Sequence, residues 1–373
     1  MKVLLKTLPL RNGNYGGALQ AIALSKKLER LGHSPKVEAP TRFNMGLRTL
    51  AKYLLSLCTG SWPRLLTNRV RNDILTDFMD FVDGHISTIK NSKGLLFIRR
   101  DSRTNFDAFV VGSDQVWRPK YAKVDRYMFS KIPHKLDSKL RFSYAASFGV
   151  STSAEFSANL VKNCSKSLEK FTAVSVREVS GVNLCQELFN VNAVQVMDPT
   201  FFWTKEFYEE LAGLDRPSTD KQHLLLFDLD RSNELLDACQ SVASRLGLEV
   251  NHFETKTPEN RKQYWNKPED FRLPSPAAWL EAISKSTIVV TDSYHGVIFA
   301  IIFRKAFVTV GNDARGSDRF HSLLSLLGLE KQLLHSIEDV TPESFEGIDW
   351  SHVEKRLSHL TNQSEAFLIK ALA

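Results

Sequence analysis

Short apolar runs alternate with helical patterns along most of the chain. The run Lys2–Lys6 is followed by an Asn/Gly-containing stretch and then by apolar residues at helical spacing from Leu19 to Leu31. Gly32 then ends the predicted helix, and a second apolar run begins at Val37. A strand, a loop, a helix and another strand in this order form the unit from which doubly wound sheets are built.

The alternation continues through two series of elements, separated by the polar, turn-rich stretch Phe201–Gln222. Further strands are predicted at Phe106–Val111, Phe142–Ala146, Thr172–Val176, Ala193–Val196, His223–Phe227, Glu249–Phe253, Thr287–Thr291 and Ala306–Val310. Helices are predicted at Gly181–Phe189, Asn233–Leu246, Gly296–Phe303, Leu323–Leu329 and about Ser351–Ala373, and after Ser275-Pro276.

Two domains follow from this pattern and from the length of the chain. One hydrophobic core stops growing at roughly 250–300 residues, and the chain has 373. We therefore predict an α/β protein with a Rossmann-like domain over residues 1–205 and a second one over residues 206–350. The helix at 351–373 can pack back on the first domain.

Composition and charge narrow the class of protein. Hydrophobic residues make up 43% and charged residues 24% of the chain, as in an ordinary globular protein. The sequence shows neither a signal peptide nor an apolar run long enough to span a membrane, so we expect a cytoplasmic protein. Cys58, Cys164, Cys185 and Cys239 form no CxxC pair, which argues against a disulfide framework or a zinc knuckle. The net charge of +7 favours an anionic partner.

One stretch, Thr41–Asp73, departs from the alternation. Its basic residues lie among Leu, Tyr and Trp, and they are Arg42, Arg48, Lys52, Arg64, Arg69 and Arg71. A basic amphipathic helix of this kind can lie on an anionic membrane surface. An ordinary surface helix, whose arginine stems cover apolar area, is the interpretation that we slightly prefer.

Polar residues follow the predicted strands at the edge of the sheet where ligands bind in α/β proteins. The candidates in the first three such loops are Asn14, Tyr15, Gly16 and Gly17, then Ser113, Asp114, Gln115 and Trp117, then Arg177 and Glu178. Glycines let backbone N–H groups approach an anion, and an arginine fork binds carboxylate or phosphate through two hydrogen bonds. The structural alternatives are a flexible loop, an N-cap at Asp114 and an ion pair between Arg177 and Glu178.

The fourth loop is Thr291–Gly296, and the fifth carries Arg315 and Arg319. His295 lies at the start of a predicted helix, whose positive end disfavours a charged imidazole, whereas a bound phosphate favours it. A histidine placed there can exchange a proton near neutral pH, so we favour a functional role for His295. The two arginines can neutralise an anion or belong to a solvated loop. These residues indicate an enzyme acting on an anionic metabolite, without a dinucleotide fingerprint.

Taken in order, these segments resemble the polysaccharide pyruvyl transferase family. The matching segments are Asn14–Gln20, Val111–Trp117, Ser175–Glu178, Asp198-Pro199, Asp292–Gly296 and Arg315–Leu329, which together cover about residues 1–330. The resemblance implies a GT-B-like fold with two Rossmann-like domains facing a cleft. It also implies transfer of a pyruvyl group from phosphoenolpyruvate to a saccharide, usually as a cyclic ketal, in the synthesis of cell-surface polysaccharide or exopolysaccharide.

The resemblance further implies roles for single residues. His295 matches the family histidine, and Arg177 matches the family arginine after a strand. For the basic residue that contacts the donor, Arg315 is the first candidate and Arg319 the second, although some relatives have lysine there. The expected donor-binding residues are Arg177, Arg315, Arg319, Ser293, Tyr294 and Gly296. The expected acceptor-binding residues are Asn14, Tyr15, Gly16, Gly17, Ser113, Gln115 and Trp117.

In the expected reaction, His295 protonates C3 of phosphoenolpyruvate, and Asp114 or Asp292 accepts the proton of the attacking hydroxyl. No metal or cofactor is required besides the co-substrate. The acceptor is often lipid-linked in such enzymes, which fits contact of Thr41–Asp73 with the inner face of the cell membrane.

Two other functions compete with this one. A glycosyltransferase of the same architecture would need a ribose-binding carboxylate, for which Glu281 is conceivable. A non-catalytic saccharide- or membrane-binding protein would not need His295 together with the arginines. Nucleic-acid binding is not expected, because the basic residues are dispersed and no reader motif is present.

Overall fold

The computed structural model describes residues 1–10, 12–39, 68–90, 105–130, 136–214, 223–254, 261–311 and 316–373. Most of the basic stretch Thr41–Asp73, including its residues 41–67, lies outside the described residues, as do Cys58 and Arg315. The other three cysteines, Cys164, Cys185 and Cys239, are buried free thiols.

The first half of the chain forms a parallel sheet. Its strands are β1 (Lys2–Lys6), β2 (Ser34–Ala39), β3 (Thr88–Lys90), β4 (Ala108–Val111) and β5 (Leu140–Ser143). They are ordered β3-β2-β1-β4-β5. Two short strands, β6 (Ser175–Val176) and β7 (Val194–Gln195), pair with each other in parallel. Isolated parallel bridges, such as Phe142 with Ala173, join them to the β5 edge.

The second half forms another parallel sheet of five strands. These are β8 (His223–Phe227), β9 (Glu249–His252), β10 (Ile288–Thr291), β11 (Ala306–Val310) and β12 (Leu333–Leu334). Their order is β12-β11-β10-β8-β9. The central strand β10 is buried throughout, as expected for a parallel strand covered on both faces. The two sheets lie on either side of the predicted junction at residue 205.

Helices connect the strands of both sheets. In the first half they are α1 (Tyr15–Arg30), α2 (Asn68–Ile74), α3 (Thr76–His85), α4 (Val124–Tyr127), α5 (Ala158–Leu168) and α6 (Val179–Phe189). In the second half they are α7 (Lys205–Ala212), α8 (Asn233–Leu246), α9 (Arg261–Asn266), α10 (Pro276–Lys285), α11 (Tyr294–Ile302), α12 (Asp318–Leu327) and α13 (Trp350–Leu372). Short 3₁₀ turns lie at Ser153–Glu155, Pro199–Phe202, Pro268–Phe271, Glu330–Gln332, Ile337–Asp339 and Pro342–Phe345.

One hydrophobic core runs through both halves. Its members come from α1 and α3 of the first half and from α10 and α11 of the second. At the junction, the ring of Tyr15 stacks on Trp279 with centroids 5.5 Å apart and planes 5° apart. The Tyr15 hydroxyl donates a hydrogen bond to Pro274 O at 2.9 Å. This packing holds the start of α1 against the second domain.

The last helix reaches back to the first domain. In α13, Ser364 Oγ accepts a hydrogen bond from Met197 N at 2.9 Å, and Glu365 pairs with Lys27 of α1 at 2.6 Å. Among the described residues, no helix is both long enough and apolar enough to cross a membrane.

The predicted class, α/β with two Rossmann-like domains, is confirmed, and the predicted strands have counterparts in the structure. The stretch Phe201–Gln222 was wrongly interpreted as a turn-rich connection over its whole length, since it contains α7. A helix forms here because Tyr208 and Leu211 lie one turn apart and give α7 an apolar face. On this face, Tyr208 packs on Phe299 with 4.8 Å between the ring centroids.

Candidate active site at the carboxyl ends of the strands

The loop after β10 places His295 at the start of a helix. Ser293 caps α11 by accepting a hydrogen bond from Gly296 N at 3.3 Å, and His295 is the second residue of that helix. Residue 296 has to be glycine for close packing, because a Cβ there would lie 2.5 Å from Thr291 Oγ1. The cap and this close approach fix the direction in which the imidazole leaves the backbone.

The side chain of His295, in the second domain, contacts the start of α1 in the first domain. A Cβ on Gly16 would lie 2.1 Å from both Cγ and Nδ1 of His295, so the imidazole lies directly on the glycine. Asn14 caps α1, because its side chain accepts a hydrogen bond from Gly17 N at 2.9 Å. The N-terminal ends of α1 and α11 therefore meet at this histidine, and both contribute positive helix ends.

Asp198 after β7, which belongs to one of the segments carrying the family resemblance but was given no role there, lies at the centre of the site. Its Oδ1 accepts hydrogen bonds from Thr200 N at 3.1 Å and from Thr200 Oγ1 at 2.8 Å. Its Oδ2 accepts from Arg177 Nη1 at 2.8 Å, and lies 3.3 Å from Ser113 Oγ and 3.5 Å from His295 Nε2. Burial alone would raise the pKa of Asp198, but His295, Arg177 and the Thr200 N–H hold it well below its usual range.

Arg177 follows β6 and is enclosed by acidic and aromatic groups. Besides Asp198, it donates from Nε to Glu178 Oε1 at 3.1 Å, and its guanidinium lies 4.2 Å from the ring centroid of Tyr294. Among the described residues, Nη2 has no hydrogen-bond partner, and it lies 3.8 Å from Asp114 Oδ1. The predicted structural alternative, an ion pair with Glu178, is therefore present, but one guanidinium nitrogen is left over.

Burial has opposite effects on the pKa values of Arg177 and Glu178. Burial alone would lower the pKa of Arg177, but Tyr294 and the surrounding carboxylates raise it, so the guanidinium stays charged. Burial raises the pKa of Glu178, against the opposing effect of the neighbouring Arg177 charge. The site therefore holds a permanent positive charge enclosed by three acidic side chains.

Asp114 and Ser113 line the site from the loop after β4. Asp114 Oδ1 accepts from Gln115 N at 2.8 Å, and Oδ2 accepts from Asn14 Nδ2 at 3.5 Å. Ser113 Oγ donates to Ala145 O at 2.9 Å as well as approaching Asp198. Asp114 is thus brought to the predicted site, and among the helices of the described residues it caps none.

Arg319 also lies beside the ring of Tyr294. Its guanidinium is 5.4 Å from that ring centroid, and burial lowers its pKa. The segment before it is held against the first domain, because a Cβ on Gly316 would lie 1.8 Å from Gly149 O. Ser180 of α6 also donates a hydrogen bond to Asp318. Tyr294 therefore lies close to two arginines, one from each domain.

Four other predicted site residues have different surroundings. Asp292 accepts hydrogen bonds from Leu229 N at 2.7 Å and Asp230 N at 3.0 Å, which tie down the loop after β8. The side chains of Trp117, Tyr15 and Gln115 are engaged elsewhere. Trp117 is fully buried against Phe148, Tyr15 stacks between the domains, and Gln115 accepts from Arg118. The structure therefore does not bring the indole of Trp117 to the site, because this ring belongs to the core of the first domain.

Among the residues that the structure describes, no three His, Cys, Asp or Glu side chains are grouped so as to hold a metal ion. The arrangement that is present pairs an acid/base group, His295, with charged partners. Two buried atoms, His295 Nε2 and Arg177 Nη2, have no hydrogen-bond partner within the described part of the chain. Since buried polar atoms are normally satisfied, these two are suited to meet a ligand.

Comparison with known proteins gives a family and a fold. The family model described as polysaccharide pyruvyl transferase matches residues 14–314. The UDP-GlcNAc 2-epimerase from Neisseria meningitidis bound to UDP-GlcNAc superimposes with a TM-score of 0.50 at 12% identity, covering 100% of this chain and 99% of that one. A putative UDP-N-acetylglucosamine 2-epimerase from Listeria monocytogenes gives 0.48 at 13% identity, covering 99% and 90%. The comparison with curated protein sequences found no match.

Proposed function

The chain belongs to the polysaccharide pyruvyl transferase family, and from this premise we propose that it moves a pyruvyl group from phosphoenolpyruvate to a saccharide as a cyclic ketal. One observation supports the donor most directly. The buried atoms His295 Nε2 and Arg177 Nη2 both lack a hydrogen-bond partner among the described residues. They lie beside two helix N-termini, where a phosphate and a carboxylate are both stabilised.

The proposed reaction needs one acid and one base. A hydroxyl oxygen of the saccharide bonds to C2 of phosphoenolpyruvate, its proton passes to a base, and C3 takes a proton from His295 to become a methyl group. The bond from C2 to the phosphate oxygen then breaks, and phosphate leaves with the electron pair. A second hydroxyl oxygen bonds to C2 and closes the ketal, and its proton returns to the base or to phosphate.

We assign the donor side to the second domain and to Arg177. The burial of Arg319 beside Tyr294 supports this role for it. Arg315 remains a candidate by resemblance alone. Arg177 offers Nη2, because its Nη1 and Nε already donate to Asp198 and Glu178. Ser293, Tyr294 and Gly296 contribute through the start of α11, which faces the same place.

We assign the acceptor side to the first domain. The start of α1 contributes Asn14, Gly16 and Gly17. The neighbouring loop after β4 contributes Ser113, Asp114 and Gln115. Asp114 is the preferred base, because its Oδ1 lies 3.8 Å from Arg177 Nη2 and therefore faces the proposed donor site. Asp292 is the weaker alternative, since both its oxygens accept backbone N–H bonds.

The proposed reaction uses no metal and no organic cofactor. We further propose that the acceptor is lipid-linked and that the protein works at the inner face of the membrane, as a step in exopolysaccharide synthesis. The basic composition of Thr41–Asp73 supports this placement.

Two alternative functions make different predictions about ligands. A glycosyltransferase would bind a nucleotide sugar, and Glu281, the candidate for ribose, is paired with Lys285 at 2.8 Å on the surface of α10. A non-catalytic saccharide-binding protein would bind neither donor. We expect phosphoenolpyruvate, and not UDP-sugars, to raise the melting temperature in a concentration-dependent manner.

Turnover in deuterated water tests the proposed chemistry. With a reactive saccharide acceptor, we expect the ketal methyl group to carry one deuterium from solvent, because C3 is protonated by a group in exchange with water. A ketal product whose methyl group carries no deuterium would contradict the proposed addition.

A further inference from the structure

We propose that Gln195 is a positioning residue, which holds Arg319 of the second domain beside Arg177 of the first, so that one donor molecule can meet both guanidinium groups. The inference rests on the proposed function, in which these two arginines bind phosphoenolpyruvate. The observation that motivates it is a bridge made by one side-chain amide. Gln195 Nε2 donates a hydrogen bond to Arg177 O at 3.1 Å and another to Ser322 Oγ at 2.9 Å. Ser322 lies on α12, one turn after Arg319.

The amide of Gln195 is held on both sides of the bridge. Its nitrogen carries two N–H groups, one for each acceptor, and it has to face Arg177 O because a backbone carbonyl only accepts hydrogen bonds. The hydroxyl of Ser322 accepts a second hydrogen bond from the first domain, from Val179 N at 3.4 Å. Gln195 is also the last residue of β7, where it pairs in parallel with Val176, the residue before Arg177. The sheet therefore fixes the position from which this side chain reaches α12.

The closeness of Arg319 to Arg177 needs such a bridge, because two positive charges repel each other strongly away from water. Both side chains are buried. Burial lowers the pKa of Arg319, and the neighbouring Arg177 charge lowers it further, whereas Asp114 and Glu178 act in the opposite direction. These carboxylates offset part of the repulsion, but they do not set the distance between the arginines. Gln195 ties the two segments together without adding a charge to the site.

Another contact joins α12 to the first domain but has a different consequence. Ser180 of α6 donates a hydrogen bond to Asp318, the first residue of α12, and this bond holds the start of the helix against the first domain. Gln195 differs from it, because its amide also contacts the backbone of Arg177. Loss of the Gln195 bridge is therefore expected to leave the domains together and to move α12 relative to Arg177.

The test compares the full-length protein with Gln195→Met, which keeps the length of the side chain and removes both N–H groups. We expect KM for phosphoenolpyruvate to rise by about 10-fold, the effect of losing two modest hydrogen bonds. Because the change weakens donor binding and leaves the acid and the base in place, kcat should change by less than about 3-fold. Gln186→Met is the matched control: Gln186 is exposed on α6 and donates to Asn190 at the end of that helix. It should change neither parameter.

Further variants separate positioning from a general loss of stability. Ser322→Ala removes the acceptor on α12 and should reproduce the rise in KM, whereas Ser322→Thr keeps the hydroxyl and should retain the wild-type KM. In an Arg319→Gln background, Gln195→Met should raise KM by no more than about 2-fold, because its effect is transmitted through Arg319. Fully additive losses in the double variant would overturn the inference.

Amide hydrogen exchange of the ligand-free protein distinguishes failure of this inference from failure of the proposed function. Gln195→Met should speed exchange in α12 by about 10-fold, and Gln186→Met should leave it unchanged. If the wild-type protein fails to turn over phosphoenolpyruvate, the proposed function is wrong, and the exchange rates still decide whether Gln195 holds α12. If Gln195→Met does not fold, Ser322→Ala takes its place. Unchanged exchange in α12, or an unchanged KM in a folded and active variant, would overturn the inference.

Discussion

The imidazole of His295, in the second domain, lies directly on Gly16, in the first, so that a Cβ at residue 16 would be 2.1 Å from Nδ1. Gly16→Ala therefore has to displace the histidine, since the added methyl group also meets Cγ at 2.1 Å. We expect the rate of phosphate release to fall by about 100-fold, the scale at which misplaced acid/base groups lose their effect.

The matched control is Gly84→Ala in α3, where an added Cβ meets nothing within 4 Å. Alanine favours the helix, so this variant should be stabilised by about 0.4–1 kcal/mol, with unchanged activity. Equal activity of the two variants would show that the contact between Gly16 and His295 has no catalytic importance. Urea unfolding and phosphate release, measured on both proteins, provide the comparison.

His295 is expected to act as the acid that protonates C3. His295→Gln preserves much of the side-chain volume but cannot donate a proton in the same way, and we expect kcat to fall by about 10²–10⁴-fold. His335→Gln, at an exposed histidine of the second domain, serves as the control and should keep its activity. A His295→Gln enzyme with normal kcat would refute the acid assignment.

Arg319 is expected to bind the donor. Because it is buried beside Tyr294, Arg319→Gln should raise KM for phosphoenolpyruvate more than it lowers kcat, by about 10-fold or more for the loss of one charged hydrogen bond. Arg245→Gln removes an arginine that is 59% exposed and pairs with Glu343, and should change neither parameter. If KM stays constant in Arg319→Gln, Arg315 becomes the better candidate.

The ionised form of Asp198 is expected to contribute to stability in a pH-dependent manner. Its pKa is lower in the folded protein than in the unfolded chain, so its contribution is complete above the unfolded value of about 4 and is lost as the pH falls through the folded value. Asp198→Asn should therefore be about 3–5 kcal/mol less stable near neutral pH. The difference from wild type should shrink below about pH 4. Urea unfolding across this range tests the sign, and a difference that grows in acid would contradict it.

The strands could be predicted from sequence because their apolar runs are buried on both faces. Ile288–Thr291 is an example, fully buried in the second sheet. The helix Lys205–Ala212 was missed because its polar residues and the following Gly213 and Pro217 dominate the local composition. Its apolar stripe is short, and only packing on Phe299 shows that it forms one face of a helix.

The site was predictable where strand ends alone decide the position of a side chain. His295 and Arg177 meet there because both follow buried strands. The position of Asp198 beside Arg177 was not predictable, because spacing along the chain does not reveal which carboxylate reaches which cation. The burial of Trp117 was not predictable either, because a tryptophan beside polar residues gives no sign in the sequence that it fills the core.

The most direct test of the proposed transfer is phosphate release from phosphoenolpyruvate with a panel of saccharide acceptors, followed by mass measurement of the products. We predict acceptor-dependent phosphate release and a product heavier than the acceptor by pyruvate less one water, both greatly reduced in His295→Gln. The proposed function would be contradicted if no acceptor caused release of phosphate from phosphoenolpyruvate and the protein instead transferred a sugar from a nucleotide sugar.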